Sequence, residues 1–220
     1  ALAVGAALCV SASGTPPPRL LRGAGVTVLG TAPSALAAYV PGDVPSLRCV
    51  FTWGEAMPAA LAQRFRSGGV RIVELLISTE YWLTFVGGGG GGVPGSPQTV
   101  FEAISGLDFG VLPTEAIASA DAGELDAGAL RRDAGAVGEL CLRGPAVMRA
   151  YLQDGAERRD PRSFLHAGDG PYFRARDIVR ITGSGARRGV QFCGRSDSLI
   201  KVGAEFVNLA DVERRLEALP

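Results

Sequence analysis

Apolar and polar positions along the chain follow two different rhythms. Up to about residue 90, short β-branched runs alternate with stretches whose apolar residues recur at helical spacing. GVTVLG (25–30), LRCVFTW (47–53) and RIVELLI (71–77) predict strands. PSALAAYV (33–40) and MPAALAQRFRSGG (57–69) predict helices, with Pro33 and Pro58 near their first turns and Gly68-Gly69 closing the second. Strand, helix, strand, helix, strand implies a parallel sheet with right-handed crossovers, and so an α/β fold. The opening run ALAVGAALCV (1–10) reads as a further buried strand. It is too short to span a bilayer and lacks the basic flank of a signal peptide.

From residue 87 the texture changes. Six glycines (87–92) and VPGSP form a connection. No Lys-Ser/Thr follows them, which favours a surface loop over a phosphate-binding one. Residues 98–193 read as β-hairpins. The runs GELCLRG (138–144), YFRARDIVRIT (172–182) and RGVQFCGR (188–195) are strand-like, and the turn-rich GSGARR separates the last two. The alanine-rich 118–136 predicts a loop or a short exposed helix. SLIKVGAEFVN (198–208) predicts a hairpin, and NLADVERRLEAL (208–219) a helix capped by Asn208, with Val212, Leu216 and Leu219 on one face. The chain starts inside an apolar run without Met, and its last apolar stripe ends at the last residues. It is therefore expected to be an excerpt of a longer protein.

Composition narrows the chemistry. The 220 residues are 47% hydrophobic, enough for a sizeable core, and 22 basic residues balance 22 acidic ones. That balance gives no electrostatic argument for nucleic acid or for an anionic membrane as partner. With His166 as the single histidine, neither a Ser-His-Asp triad nor a multi-histidine metal site is an easy reading. Cys9, Cys49, Cys141 and Cys193 form no C-x-x-C pair, which argues against zinc. They are expected to be buried and reduced, as in a cytoplasmic protein.

One stretch invites chemistry. VELLISTEYW (73–82) places Ser78, Thr79 and Glu80 at the exit of an apolar strand, just before Tyr81 and Trp82. Open parallel sheets bind ligands outside the carboxyl ends of their strands. The plainer reading is a loop that caps a strand. A dinucleotide site is disfavoured, because GAG (23–25) precedes a strand and no G-x-G-x-x-G follows one.

Five stretches together resemble one family. GELCLRGPAVMRAYL (138–152) resembles the GEL-x-x-x-G-x-x-x-x-x-GYL of adenylate-forming enzymes: acyl-CoA synthetases, luciferases and adenylation domains of nonribosomal peptide synthetases. YFRARD (172–177) is similar to their Y/W-F-R-T-G-D, and GRSDSLIKVGAEFVNLADVE (194–213) to their G-R-x-D lid motif. WGEAMP (53–58) resembles G-G-E-A-L-P, and ISTEYW (77–82) resembles Y-G-x-T-E. The five occur in the family's order.

The resemblance implies a fold and a set of roles. Residues 1–90 would be the parallel-sheet part of a large domain, 91–196 a β-rich, distorted-barrel subdomain, and 197–220 the start of a small lid. Glu80 would bind Mg²⁺, and Thr79 would bond the phosphates of ATP. Asp177 would hold the ribose hydroxyls, with Arg195 near ribose and phosphate. Gly54, Glu55 and Ala56 would pass under adenine, beside Leu76. Asp197 would be the lid hinge, and Lys201 the lysine of the lid's first strand. Phe51, Trp53, Leu75, Leu83 and Thr84 would line the pocket for a small-molecule carboxylic acid, although core residues would look the same in sequence. The implied reaction joins the acid to ATP, releases pyrophosphate and passes the acyl group to CoA or to phosphopantetheine on a carrier-protein domain.

The departures also count. Leu76 and Ile77 replace an aromatic and a glycine, Ala175 and Arg176 replace T-G, and Ala204 and Phe206 replace a glycine and an arginine. The family's phosphate loop would precede residue 1, and its catalytic lysine would follow residue 220. On this reading the fragment alone is inactive. The alternative is a degenerate, non-catalytic module that binds nucleotide or serves as scaffold.

Overall fold

A computed structural model describes residues 5–9, 14–87, 99–185, 188–202, 205–208, 212 and 216. These form two compact units, one running to Leu76 and including Gly87, the other holding Ile77–Val86 and the described residues from 99 onward.

The first unit contains α1 (Pro18–Gly23), β1 (Val28–Gly30), α2 (Pro33–Leu36), β2 (Cys49–Thr52), α3 (Ala59–Ser67) and β3 (Arg71–Leu76). The three strands pair in parallel in that order, with Leu29 opposite Val50 and Val50 opposite Ile72. Leu21, Leu36, Tyr39, Val50, Phe65 and Ile72 form the core. α3 starts after Pro58, buries Leu61, Ala62 and Phe65, and stops at Gly68, with Gly69 at φ +77°. That left-handed exit is one a side chain would strain. α2 is shorter than its apolar spacing predicts. Pro41 holds Val40 in extended backbone and blocks the α region there. The expected strand in the opening run is absent among the described residues: 5–9 are exposed, including Leu8, and Gly5 is at φ +73°. Apolar composition alone did not supply a pairing partner there. α1 was not anticipated. Proline at its first position presets the helical φ.

In the second unit, β4 (Phe85–Gly87), β5 (Val100–Ala103), β6 (Asp108–Leu112), β7 (Val137–Arg143), β11 (Tyr172–Thr182) and β12 (Gly189–Arg195) form an antiparallel array in the order β4-β5-β12-β11-β7-β6. Among the described residues this array does not close into a barrel. β10 (Phe164–Leu165) pairs with β11, while β8 (Tyr151–Gln153) and β9 (Ala156–Arg158) make a separate hairpin. β13 (Leu199–Val202) and β14 (Glu205–Asn208) pair as predicted. Most of the expected helix at 208–219 and the glycine-rich connection at 88–98 lie outside the described residues.

Close backbone packing explains the glycine of the GEL motif. A Cβ on Gly138 would sit 2.2 Å from the Leu112 carbonyl oxygen. The alanine-rich 118–136 is less exposed than expected. It holds a helix, α4 (Ile117–Asp121), and buries Ala120 and Leu130 against Leu112, Cys141, Leu165 and Tyr172. Small alanines let this segment pack close to the strands. No disulfide joins the cysteines among the described residues, but Cys9 is exposed and only Cys141 is fully buried, so the expectation of burial fails for Cys9.

Candidate functional site

Glu80 is held by hydroxyls. Ser78 Oγ and Thr79 Oγ1 each donate to Glu80 Oε2 at 2.8 Å, and the Tyr151 hydroxyl donates to Oε1 at 3.3 Å. Its backbone is fixed as well, because Met148 N donates to the Glu80 carbonyl at 2.8 Å and Tyr81 bridges to Val147. Partial burial pushes the carboxyl pKa up, but the hydroxyls of Ser78 and Thr79 outweigh it and hold the group below the ordinary glutamate value. Glu80 therefore presents an ionised carboxylate at neutral pH.

Register builds the second half of the site. Asp177 on β11 stands directly opposite Arg195 on β12, and Arg195 Nη1 donates to Asp177 Oδ1 at 3.2 Å. Arg195 Nε donates to Asp197 Oδ1 at 3.1 Å in the turn Ser196–Ser198. The Tyr81 hydroxyl donates to Asp177 Oδ2. Asp177 is only 5% exposed, and this burial lifts its pKa to about 6 despite Tyr81 and Arg195. Burial and the Asp177 charge push the Tyr81 phenol up, so it remains a donor.

A bulge aims these groups. Between Arg174 and Ile178 the register of β11 against β7 slips, so three residues of β11 oppose Leu140 alone. Arg176 lies within the bulge at φ +62°, a left-handed backbone at a position where the adenylate-forming family carries glycine. Bulges re-aim side chains beside functional sites. The bulge is braced by a buried ion pair between two motif residues. Arg174 Nε and Nη2 donate to the two oxygens of Glu139 at 3.1 and 3.0 Å, and Arg174 Nη1 reaches Asp121 at 2.8 Å and the Pro161 carbonyl at 2.9 Å. Arg176 pairs with Asp121. The cation on Asp177 is thus Arg195, and not the adjacent Arg174, Arg176 or Arg180.

Ser78, Glu80, Tyr151, Arg174, Arg176 and Arg195 face one cleft of about 190 Å³. A larger and more open hollow of about 460 Å³ is lined by Glu124, Asp126 and His166, and no motif residue reaches it. The smaller cleft is the candidate site, because motif residues including Glu80 and Arg195 line it; Thr79, Asp177 and Asp197 are not among its lining residues. Among the described residues no group of three His, Cys, Asp or Glu could cage a metal. The donor set here suits a cation that takes one carboxylate and completes its shell with water and phosphate oxygens, as Mg²⁺ does.

The other predicted residues have these places. In the first unit, Gly54 turns at φ +84°, and the Glu55 carboxylate accepts from Ser34 N at 2.9 Å and Ser34 Oγ at 2.7 Å. That contact ties the exposed Gly54-Glu55-Ala56 turn to α2. Trp53 packs so close to Gly30 that a Cβ there would meet its ring at 3.1 Å. Phe51 and Leu76 are half-buried, and Leu75 is buried. In the second unit, Leu83 is exposed at φ +52°, while Thr84 is buried and donates to the Tyr81 carbonyl at 3.1 Å. Lys201 stands opposite Phe206 in the β13–β14 register, and its side chain lies outside the described residues. Sequence reasoning missed Tyr81 and Glu139 as partners of Asp177 and Arg174, and Tyr151 as a partner of Glu80. Glu139 and Tyr151 both sit in the GEL…YL motif, but nothing in that motif says which residue either one meets.

Known proteins resemble the chain throughout. It is 30% identical over 198 residues to malformin synthetase mlfA of Aspergillus sclerotiicarbonarius, covering 84% of this chain and 4% of that protein. It is 27% identical over 229 aligned positions to the nonribosomal peptide synthetase imqB of Aspergillus flavus, covering 98% of this chain and 6% of that one. The fold matches ATP-bound MatB from Rhodopseudomonas palustris with a TM-score of 0.67 at 19% identity, over 93% of this chain and 38% of that one. It also matches the anthranilate CoA ligase AuaEII in complex with anthranoyl-AMP, with a TM-score of 0.60 at 22% identity, over 92% of this chain and 36% of that one. The chain thus spans a small part of the length of these curated relatives. Residues 1–152 match the model of the AMP-binding enzymes, and the chain belongs to that family.

Proposed function

We propose that this chain is the later part of an adenylate-forming domain, comprising parallel-sheet (1–90), β-rich (91–196) and incipient lid (197–220) portions. The parent protein would activate a carboxylic acid with ATP to an acyl-adenylate, release pyrophosphate and pass the acyl group to a thiol. The supporting observation is that Glu80 and Arg195 line one cleft with Phe173, Arg174, Ala175 and Arg176 of β11, and that Arg195 also bonds Asp177. The cleft's volume of about 190 Å³ suits a sugar–phosphate portion rather than a whole nucleotide.

In this reading Thr79 bonds a phosphate and Glu80 presents its ionised carboxylate to Mg²⁺. When bound, the metal supplies charge neutralisation on the phosphates. Asp177 accepts from the ribose, and Arg195 places a cation between sugar and phosphate. Asp197 serves as the hinge and Lys201 acts from the lid. In the first unit the Gly54–Ala56 turn offers backbone to adenine, with Leu76, Phe51, Trp53 and Leu75 facing base and acid. The thiol belongs to CoA or to phosphopantetheine of a carrier-protein domain, and the setting is the cytoplasm, which suits cysteines that form no disulfide.

Glu80→Gln in the full-length protein tests this. The amide keeps the size but loses the charge, and pyrophosphate exchange at limiting Mg²⁺ is expected to fall about tenfold or more, the scale of one lost bond to a charged group. Unchanged exchange would remove Glu80 from the site. A second reading, the non-catalytic module, is favoured by Arg176 standing where the family carries glycine. Wild-type protein with no exchange across a panel of acids would select it.

A further inference from the structure

Tyr81 has a place that the reading above does not use. Its ring is buried, 2% exposed, and lies 6.3 Å from the Phe173 ring centroid at a 39° tilt. Its backbone is pinned on both sides, bridged to Val147 and accepting from Thr84 Oγ1 at 3.1 Å. A phenol held this way cannot swing out without opening a hole in the core. Its hydroxyl points at Asp177 Oδ2, while Arg195 takes Oδ1.

An ionised carboxylate offers about four lone-pair sites across its two oxygens, so two donors need not exhaust it. Access decides the matter. Asp177 is 5% exposed, and its second oxygen is engaged by the hydroxyl of a fixed phenol. Two vicinal sugar hydroxyls that took one oxygen each would have to share Oδ2 with the Tyr81 hydroxyl and Oδ1 with Arg195.

We propose that Tyr81 is a positioning residue for sugar recognition: by occupying Asp177 Oδ2 it leaves the carboxylate to read the nucleotide through one ribose hydroxyl instead of two. This deepens the proposed function and rests on Asp177 being the ribose-binding carboxylate. The consequence is a site with relaxed sugar selectivity, which accepts a nucleotide lacking one particular hydroxyl.

Calorimetric binding of ATP, 2′-deoxy-ATP and 3′-deoxy-ATP to the full-length protein tests it. In the wild type, one deoxy analogue should bind within about twofold of ATP and the other about tenfold or more weaker. In Tyr81→Phe, ATP should tighten about tenfold, and both analogues should then bind clearly weaker than ATP. The ratios within each variant are independent of how much of it folds, so a purely structural role for the phenol would leave them unchanged. Two strong hydroxyl effects in the wild type, or unchanged ratios in Tyr81→Phe, would overturn the proposal. Asp177→Asn separates the two layers. If it erases the wild-type hydroxyl preference while Tyr81→Phe changes nothing, only the role of Tyr81 fails. If Asp177→Asn leaves the preference intact, or the wild type does not bind ATP, the ribose assignment fails and this inference with it.

Discussion

The two units hide different things. The first buries Leu36, Val50, Phe65 and Ile72, with Thr52 as its one polar residue below the surface among those described. The second buries Glu139, Arg174 and Asp177 along with its apolar core. Apolar burial is non-directional and tolerates small shifts, which suffices for a scaffold of parallel strands. Ionic burial is directional and costly, and it holds only when every donor is met. Arg174 meets that condition through Glu139, Asp121 and Pro161. The costlier interior lies in the unit whose side chains must be aimed.

The sharpest way to break this contrast is Glu139→Gln. It leaves Arg174 buried without its full counter-charge, and removing one partner of such a pair costs about 3–5 kcal/mol. Denaturant unfolding of the full-length protein should show the loss as a lower midpoint. A loss below about 1 kcal/mol would mean that Asp121 alone satisfies Arg174.

A second test uses pH. Burial lifts the Asp177 carboxyl to about 6, so the folded chain holds that proton more tightly than the unfolded chain does. This contribution to stability is fully present below about pH 4 and is lost as pH rises through about 6, roughly 3 kcal/mol in all. Asp177→Asn should flatten that part of the stability–pH profile. A profile identical to wild type would show that Asp177 does not titrate there.

The smallest expected effect lies in the first unit. Thr52 Oγ1 is buried and finds no hydrogen-bond partner among the described residues. Thr52→Val keeps the shape and removes the stranded hydroxyl, so stability should rise by about 1 kcal/mol, read as a higher Tm. A lower Tm would reveal a partner for that hydroxyl.

The same contrast governs what could be read from the sequence. The strands β2, β3, β7, β11 and β12 were legible because residues that suit strands run between turn signals. The β13–β14 hairpin was legible for the same reason. The opening run failed because hydrophobicity carries no information about a pairing partner. Glu80 and Asp177 could be singled out from ordered motifs. Their partners could not, because the contact of Tyr81 with Asp177 spans 96 positions and depends on a bulge. The pair Arg174–Glu139 spans 35 positions, and its two motifs gave no sign that they meet. Local pattern fixes which face a side chain takes, whereas a register slip decides what it touches.

Arg195 is shared between two carboxylates of very different exposure. Asp177 is buried, while the Asp197 side chain is 62% exposed in the turn after β12. Dissolved salt screens exposed charges far more than sheltered ones. Rising ionic strength should therefore loosen the outer bond first and leave the inner one in place. Arg195 would then keep its seat on β11 while the Ser196–Ser198 turn becomes free to reorient. The medium around the protein thus acts on the flexibility of that turn without disturbing the strand pair beneath it.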